Sequence, residues 1–222
     1  MPAAIIVLAA ALAAAPAPET LRVDPDVGNS TLTAVFDAAL GERIVAQSSS
    51  VSCDLAWDEK TGTASGACSV PLTGLMVDNE PTKTDHFRQW ATNKQSDPAA
   101  CKLEARFLGV KVGTLAAEKA VPFTAELPFT VCGRAPADGR KEKVSGTVVL
   151  LPAGSYGERK TLRIRAAIEK FDREAYRIGP GFTDGWLARV QSLAKVVARE
   201  GRIDLNLFAV AQQAPAPASA GR

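Results

Sequence analysis

The stretch TLRIRAAIE, residues 161–169, alternates apolar side chains with residues that are polar except for Ala167. Its apolar phase consists of Leu162, Ile164, Ala166 and Ile168. Successive side chains of a β-strand point to opposite faces, so this stretch predicts a strand with one apolar face and one wet face. Such strands are typical of antiparallel sheets.

The same alternation recurs along most of the chain. RIDLNLFA, residues 202–209, repeats the pattern near the end. Residues 51–57 and 68–72 alternate on either side of the turn cluster DEKTGT, residues 58–63, and predict a β-hairpin. Further predicted strands cover residues 32–36, 101–107, 123–131 and 144–151. Seven or eight amphipathic strands in one domain leave either two sheets packed face to face or one sheet closed into a barrel.

Two stretches depart from the period of two. Residues 82–94 predict a short helix that carries Trp90. In residues 183–200, Trp186 and later apolar residues recur at helical spacing, and Gly201 could end this second helix. Two interpretations of the tryptophans stay open: they line or cover the mouth of a barrel, or they belong to helix faces packed on its exterior.

The two ends of the chain differ in composition from the rest. The apolar run over residues 3–15 is shorter than the roughly 20 residues of a membrane-spanning helix. Residues 15–17, APA, resemble a cleavage site, so residues 1–17 predict a signal peptide. A retained anchor or an Ala-rich leader is the alternative. We expect a mature domain over residues 18–211, a disordered tail over residues 212–222, a periplasmic or secreted location, and no membrane span after cleavage.

Four cysteines form an even set, which fits two disulfides in an oxidising compartment. Cys53 and Cys68 lie on one apolar face, symmetric about the turn at residues 60–61, so an antiparallel register places them opposite each other. Cys101 and Cys132 then pair by elimination, although Cys132 lies on the opposite phase from its apolar neighbours. Either a bulge near Pro128 or the end of the strand at Gly133 would reconcile that phase. All three connectivities of four cysteines stay open.

Charge and motifs argue against several classes of function. The net charge is +2, so we expect neither nucleic acid nor an anionic membrane surface as partner. His86 is the only histidine, and neither a zinc spacing, a serine nucleophile elbow nor a phosphate-binding glycine motif accompanies it. We therefore expect no metal and no catalytic residue. The acidic pairs Asp58–Glu59 and Asp172–Glu174 leave a carboxylate-based hydrolase as a less favoured alternative.

Several short motifs occur in an informative order over residues 30–211. They are TDHFR at 84–88, DPAACKLEARF at 97–107, FTVCG at 129–133, DREAYRIG at 172–179 and GRIDLNLFAVA at 201–211. This order resembles the YceI-like family of lipocalin-like, polyisoprenoid-binding periplasmic proteins. Cys132 stands where the family has a histidine.

The resemblance implies an all-β fold: a lipocalin-like antiparallel β-barrel of about eight strands with one or two short flanking helices. A barrel of this size has room for one small ligand. The resemblance implies that a long apolar lipid, such as the isoprenoid tail of a quinone, occupies it, with no other cofactor. The predicted lining residues are Leu55, Trp57, Leu103, Phe107, Phe123, Leu127, Phe129, Leu162, Ile164, Ile168, Leu205 and Leu207.

These inferences predict an exported protein that sequesters or carries the lipid without catalysis. The same apolar residues could instead pack against one another and leave no cavity. An envelope β-sandwich that binds a protein or glycan on its surface is the main alternative, and an exposed aromatic patch would favour it. His86, with Asp85 and Arg88, either contacts a lipid headgroup or forms a solvated surface cluster. The sequence leaves the oligomeric state open.

Overall fold

The computed structural model describes residues 18–27, 29–93, 97–179, 182 and 197–212, which form twelve strands and one α-helix, α1 (Pro81–Thr92). The strands are β1 (Glu19–Val23), β2 (Thr31–Ala38), β3 (Arg43–Ser48), β4 (Ser52–Asp58), β5 (Thr63–Pro71), β6 (Met76–Val77), β7 (Lys102–Lys111), β8 (Ala120–Leu127), β9 (Phe129–Val131), β10 (Glu142–Leu151), β11 (Thr161–Asp172) and β12 (Val197–Ala211).

Several sequence predictions fall outside the described residues. These are the leader over residues 1–17, the tail beyond Gln212, Lys94 at the end of the first predicted helix, and most of the second helix, including Trp186. The prediction that the second helix continues to residue 200 is wrong, because residues 197–200 belong to β12. Their backbone pairs with neighbouring strands, which local helical spacing cannot reveal.

Within the described residues, eight strand positions follow one another around an antiparallel, barrel-like sheet. The consecutive strands β8 and β9 share one of these positions. Strands β1, β4, β5, β7 and β9 follow one side of β12, and β11, β10 and β8 follow the other side. Only Pro128 separates β8 from β9, so one segment pairs with β10 along its start and with β7 at its end. Proline lacks the N–H that a ladder needs, which accounts for the interruption.

The hydrogen-bonded sheet is not closed, because the described residues of β7 and β8 share no ladder. The covalent chain at Pro128 spans this gap. The all-β, lipocalin-like fold class is therefore confirmed. The sequence patterns did not single out β1, β3 or β6.

A three-strand wing of β2, β3 and β6 branches from the barrel. One edge of β12 pairs with β2 over residues 201–206 and with β1 at residues 210–211, so the long strand serves both units. Helix α1 follows β6, and the Thr84 hydroxyl accepts a hydrogen bond of 2.9 Å from the Val77 N–H. Pro81 starts the helix, and Asn93 ends it in the left-handed conformation.

Both cysteine pairs lie at disulfide distance and agree with the pairing predicted from the sequence. Cys53 and Cys68 are register partners on β4 and β5, with Cα atoms 4.1 Å apart. The Cα atoms of Cys101 and Cys132 lie 4.4 Å apart, which ties the start of β7 to the end of β9. Cys132 has a φ of +49° directly after β9, so its side chain departs from the strand's alternation.

Candidate functional site

Two of the cavities formed by the described residues are apolar. The larger, about 380 Å³, lies between the wing, α1 and one end of the barrel-like sheet. The smaller, about 120 Å³, lies inside the barrel. Because the inward phase of each strand is apolar, both spaces are lined mainly by aliphatic and aromatic side chains.

The walls of the larger cavity come from strand alternation on one side and helical spacing on the other. Strands β2 and β3 contribute Leu32, Ala34, Phe36, Ala38, Ile44 and Ala46. Helix α1 contributes Phe87, Trp90 and Ala91, which share one helix face. Of the two open interpretations of Trp90, the structure favours the one in which it lines the mouth.

Polar side chains of the larger cavity include a group near the hairpin and the first turns of α1. They are Glu42, Arg43, Asp78, Lys83 and His86. Lys83 Nζ lies 2.9 Å from Asp78 Oδ2 and 3.1 Å from Glu80 Oε1, and these bonds raise the pKa of Lys83. His86 is therefore placed where a ligand's polar end could reach it.

Arg88, by contrast, has a structural role. Its guanidinium donates to the carbonyls of Thr73 at 2.8 Å and Leu75 at 3.3 Å, which holds α1 against the chain before β6. Asp85 lies 3.6 Å from Arg88 and faces solvent. Neither residue lines the cavity, so only His86 of the predicted cluster is available to a headgroup.

The predicted lining residues divide between the two cavities. Leu103 lines the larger one. The smaller one is lined by Leu55, Trp57, Phe107, Phe123, Leu127, Phe129, Leu162, Ile164, Ile168, Leu205 and Leu207. The structure thus brings eleven of the twelve together, whereas most walls of the larger space come from residues that the sequence patterns did not select. Contact of any of the twelve with a ligand stays a prediction.

Two aromatic rings separate the cavities. Phe129 lines the smaller one and Phe171 the larger one, and their centroids lie 5.7 Å apart in an edge-to-face arrangement. Tyr176 stacks on Phe171 with a centroid distance of 4.9 Å and also meets Phe129 edge-on. We call Phe129 and Phe171 the aromatic partition.

A β-bulge in β11 turns Phe171 inward. Two residues, 169 and 170, lie opposite the single residue 202 of β12, so the phase of β11 shifts by one after Ile168. Phe171 therefore faces the interior although strict alternation would place it outside. Strand alternation did not reveal Phe171, because the period of two ends at residue 169. The sequence does contain one signal: Phe171 directly follows the charged residues Glu169 and Lys170, as it would if the strand continued through a bulge.

A buried hydrogen bond fixes Tyr176, whose ring stacks on Phe171 of the aromatic partition. The Tyr176 hydroxyl donates to Glu142 Oε1 at 2.7 Å, and both side chains are buried. Burial and the nearby Glu142 carboxylate raise the pKa of Tyr176 well above its usual value. The phenol thus stays protonated and fixes the position of the ring that stacks on Phe171.

The Asp172 carboxylate, at the end of β11, accepts hydrogen bonds from side-chain and backbone donors. Arg199 donates to both of its carboxylate oxygens, at 3.0 and 2.6 Å, and Arg140 lies 3.0 Å away. The backbone N–H groups of Glu174 and Ala175 also donate to it. Bonding to Arg199 holds the pKa of Asp172 far below its usual range, although burial acts in the opposite direction. A carboxylate held this way does not act as a general acid near neutral pH.

Arg173, in the DREAYRIG motif, fastens β11 to β12. Its guanidinium donates to the carbonyls of Val197, Ala198 and Ile178 at 2.7–3.0 Å. A Cβ on Gly179 would overlap this guanidinium. The motif thus builds the wall of the larger cavity, which Arg173 also lines.

Two kinds of feature are absent from the described residues. No group of three or more His, Cys, Asp or Glu side chains in the described part of the chain could hold a metal ion. None of the helices in those residues is long and apolar enough to cross a membrane.

The fold has a relative among solved structures. It is similar to a polyisoprenoid binding domain from Saccharophagus degradans implicated in plant cell wall breakdown, with a TM-score of 0.58 and 12% sequence identity. The likeness covers 88% of this chain and 99% of that one and shows a shared fold. No family model matches the sequence, and no curated protein matches it significantly.

Proposed function

We propose that the protein is an exported carrier that binds a long apolar lipid, of polyisoprenoid or quinone-like chemistry, and catalyses no reaction. The observation that carries the proposal is the larger cavity, which joins an apolar wall to a polar rim. Its volume of about 380 Å³ lies within the roughly 300–1,000 Å³ of small-molecule sites. The described binding property of the structural neighbour supports the same ligand class.

The lining suits a ligand that needs no hydrogen bonds. Removing apolar surface from water is favourable by about 25 cal/mol per Å². A hydrocarbon tail against Phe36, Ile44 and Trp90 gains this term, whereas a polar ligand would lose its hydration there. The chemistry of the wall therefore favours an aliphatic chain over a sugar or peptide.

The asymmetry of the cavity gives the ligand an orientation. The polar end lies near Lys83 and His86, and the tail runs inward toward Phe171. A tail longer than the larger cavity would have to displace the aromatic partition to enter the barrel. In that case it would contact the residues around the smaller cavity that the sequence predicts as lining.

Export is part of the proposal. The two disulfides fit an oxidising compartment, and the composition of residues 1–17 resembles a cleavable leader. The periplasm and the cell exterior are oxidising compartments that a protein with a cleavable leader would reach.

Mass spectrometry of a co-purified lipid tests the proposal. Protein purified from its own host is extracted with organic solvent, and the emptied protein is then offered a short-tailed isoprenoid quinone. We expect a stoichiometric isoprenoid in the extract and uptake of one quinone per chain. An extract free of lipid together with no uptake would contradict the proposal.

A further inference from the structure

The turn between β2 and β3 carries a leucine in an unfavourable conformation. Leu40 has a φ of +65° and a ψ of +19°, and Gly41 follows with a φ of +76°. Two left-handed residues in a hairpin turn favour Asn-Gly, because a side chain with a Cβ crowds the backbone there. The Leu40 side chain is 96% exposed, so folding recovers almost none of its apolar surface.

This turn adjoins the larger cavity. Ala38, Glu42 and Arg43, which flank the turn on both sides, line that cavity. The remaining inward residues of β2 and β3 continue the same wall toward Phe171. The exposed leucine therefore stands at the edge of the space that we propose for the lipid.

The charges around this edge do not favour an anionic surface. Arg43 lies 3.7 Å from Asp37, Lys83 pairs with two carboxylates, and Arg88 lies 3.6 Å from Asp85. The acidic groups are Asp37, Glu42, Asp78, Glu80 and Asp85, and the basic ones are Arg43, Lys83 and Arg88. An excess of carboxylates over basic side chains gives no attraction to acidic lipids.

We propose that the hairpin tip, residues 39–41, docks on a neutral, zwitterionic lipid surface, so that the ligand passes between the bilayer and the larger cavity without crossing water. This inference rests on the proposed function. Immersing one leucine shifts a partition equilibrium by about tenfold or more. The contact is therefore transient, which suits a carrier that must leave the membrane.

Leu108 provides a matched control. Its side chain is 90% exposed, yet it lines neither cavity and lies on β7, toward the end of that strand away from Leu103. Exposure alone would give both leucines the same effect. Docking at the cavity edge gives an effect to Leu40 only.

The direct test uses tryptophan as a depth probe. Leu40→Trp and Leu108→Trp are mixed with phosphatidylcholine vesicles, and the emission of each is compared with that of the unsubstituted protein. We expect a blue shift and quenching by brominated lipid for Leu40→Trp only, with no gain when phosphatidylglycerol is added. Equal spectra with and without vesicles would overturn the docking inference. A blue shift that follows protein concentration without vesicles would indicate self-association and would also overturn it.

A second arm separates docking from ligand binding. Transfer of dansyl-labelled geranylgeraniol from phosphatidylcholine vesicles is measured for Leu40→Asn and Leu108→Asn, along with binding of the same probe from dilute solution. We expect transfer to slow about tenfold for Leu40→Asn alone, with solution binding and the unfolding midpoint undiminished in both. Wild-type transfer by Leu40→Asn would overturn docking. Absence of solution binding by the unsubstituted protein would contradict the proposed function instead.

Discussion

At the scale of single residues, two aromatic rings in contact lie between the two apolar cavities. Phe129 and Phe171 stand between cavities of about 120 and 380 Å³. Tyr176 is held by Glu142 and braces Phe171. Under the proposed function, these side chains rather than the backbone would limit the length of the bound lipid tail.

Phe171→Leu should join the two spaces and admit longer tails. The smaller side chain removes the edge-to-face contact with Phe129, at a cost in stability of about 1–3 kcal/mol. We expect binding to extend to longer isoprenoid alcohols, while the shortest bound chain stays unchanged, in a titration with a chain-length series. Phe208→Leu is the control, because that ring lies outside the barrel against Tyr156. An identical length limit in both variants would contradict the role of the partition.

The Asp172 carboxylate predicts acid sensitivity. Its pKa is lower in the folded than in the unfolded protein, so its contribution to stability is complete above the unfolded value of about 3.9. It is lost as the pH falls from there toward the folded pKa. Asp172→Asn should lower the free energy of unfolding by about 1–3 kcal/mol at pH 7. The difference from wild type should shrink below about pH 4.

Denaturant unfolding at pH 7 and pH 3 measures this difference. Glu174→Gln is a suitable control, since that side chain makes only longer contacts with Arg173 and Arg199. A deficit of Asp172→Asn that stays constant with pH would refute the assignment.

Strand alternation predicted individual residues well where strands are regular. It placed Leu55, Leu162 and Leu207 on the inward face, and the structure brings them together. It could not place Phe171, because the bulge that turns the ring inward depends on pairing with β12. The left-handed backbone conformation of Leu40 could not be predicted either, because the neighbouring residues are compatible with several turn types.

At the scale of elements, the two disulfides lie in different settings. Cys53–Cys68 crosses a hairpin whose strands are already paired in register, with a sequence separation of 15. Cys101–Cys132 spans a separation of 31, and Cys101 lines the larger cavity. One bond reinforces a ladder, and the other holds a wall of the site.

Removing Cys101–Cys132 should therefore affect binding more than removing Cys53–Cys68. Loop-closure entropy gives about 3 kcal/mol for a loop of 15 residues and about 0.6 kcal/mol more for twice that length. Paired Cys→Ala variants should thus lose similar stability. Only the variant at Cys101 and Cys132 should bind a short-tailed quinone more weakly, in titrations at a temperature where both are folded. Equal affinities would show that this disulfide does not shape the site.

Helices and strands could be predicted where the sequence signal lies within the element itself. Within the described residues, the 82–94 helix prediction matches α1 (Pro81–Thr92), because helical spacing of apolar residues is a local signal. Residues 197–200 were assigned wrongly, since their strand character comes from β2 and from the bonds of Arg173 to Val197 and Ala198. The short β6 has too few residues to show a period.

At the scale of the whole molecule, one long strand organises both compartments. β12 pairs with β11 and β1 of the barrel-like sheet and with β2 of the wing. The sequence predicted an apolar interior within the barrel, and the structure adds a larger space between the wing, α1 and one end of the barrel-like sheet. This division depends on which part of a single β12 edge pairs with β2 and which part pairs with β1, and alternation within single strands does not encode that choice.

The most direct test of lipid binding in the larger cavity is a pair of substitutions at adjacent positions of β2. Ala34 faces that cavity, and Thr33 faces the opposite side of the sheet. In calorimetric titrations with a short-tailed isoprenoid quinone, we predict one site per chain for the wild type. Thr33→Trp should bind with the same affinity, and Ala34→Trp, whose indole fills the cavity, should bind at least tenfold more weakly. Equal affinity of Ala34→Trp and the wild type would contradict the account.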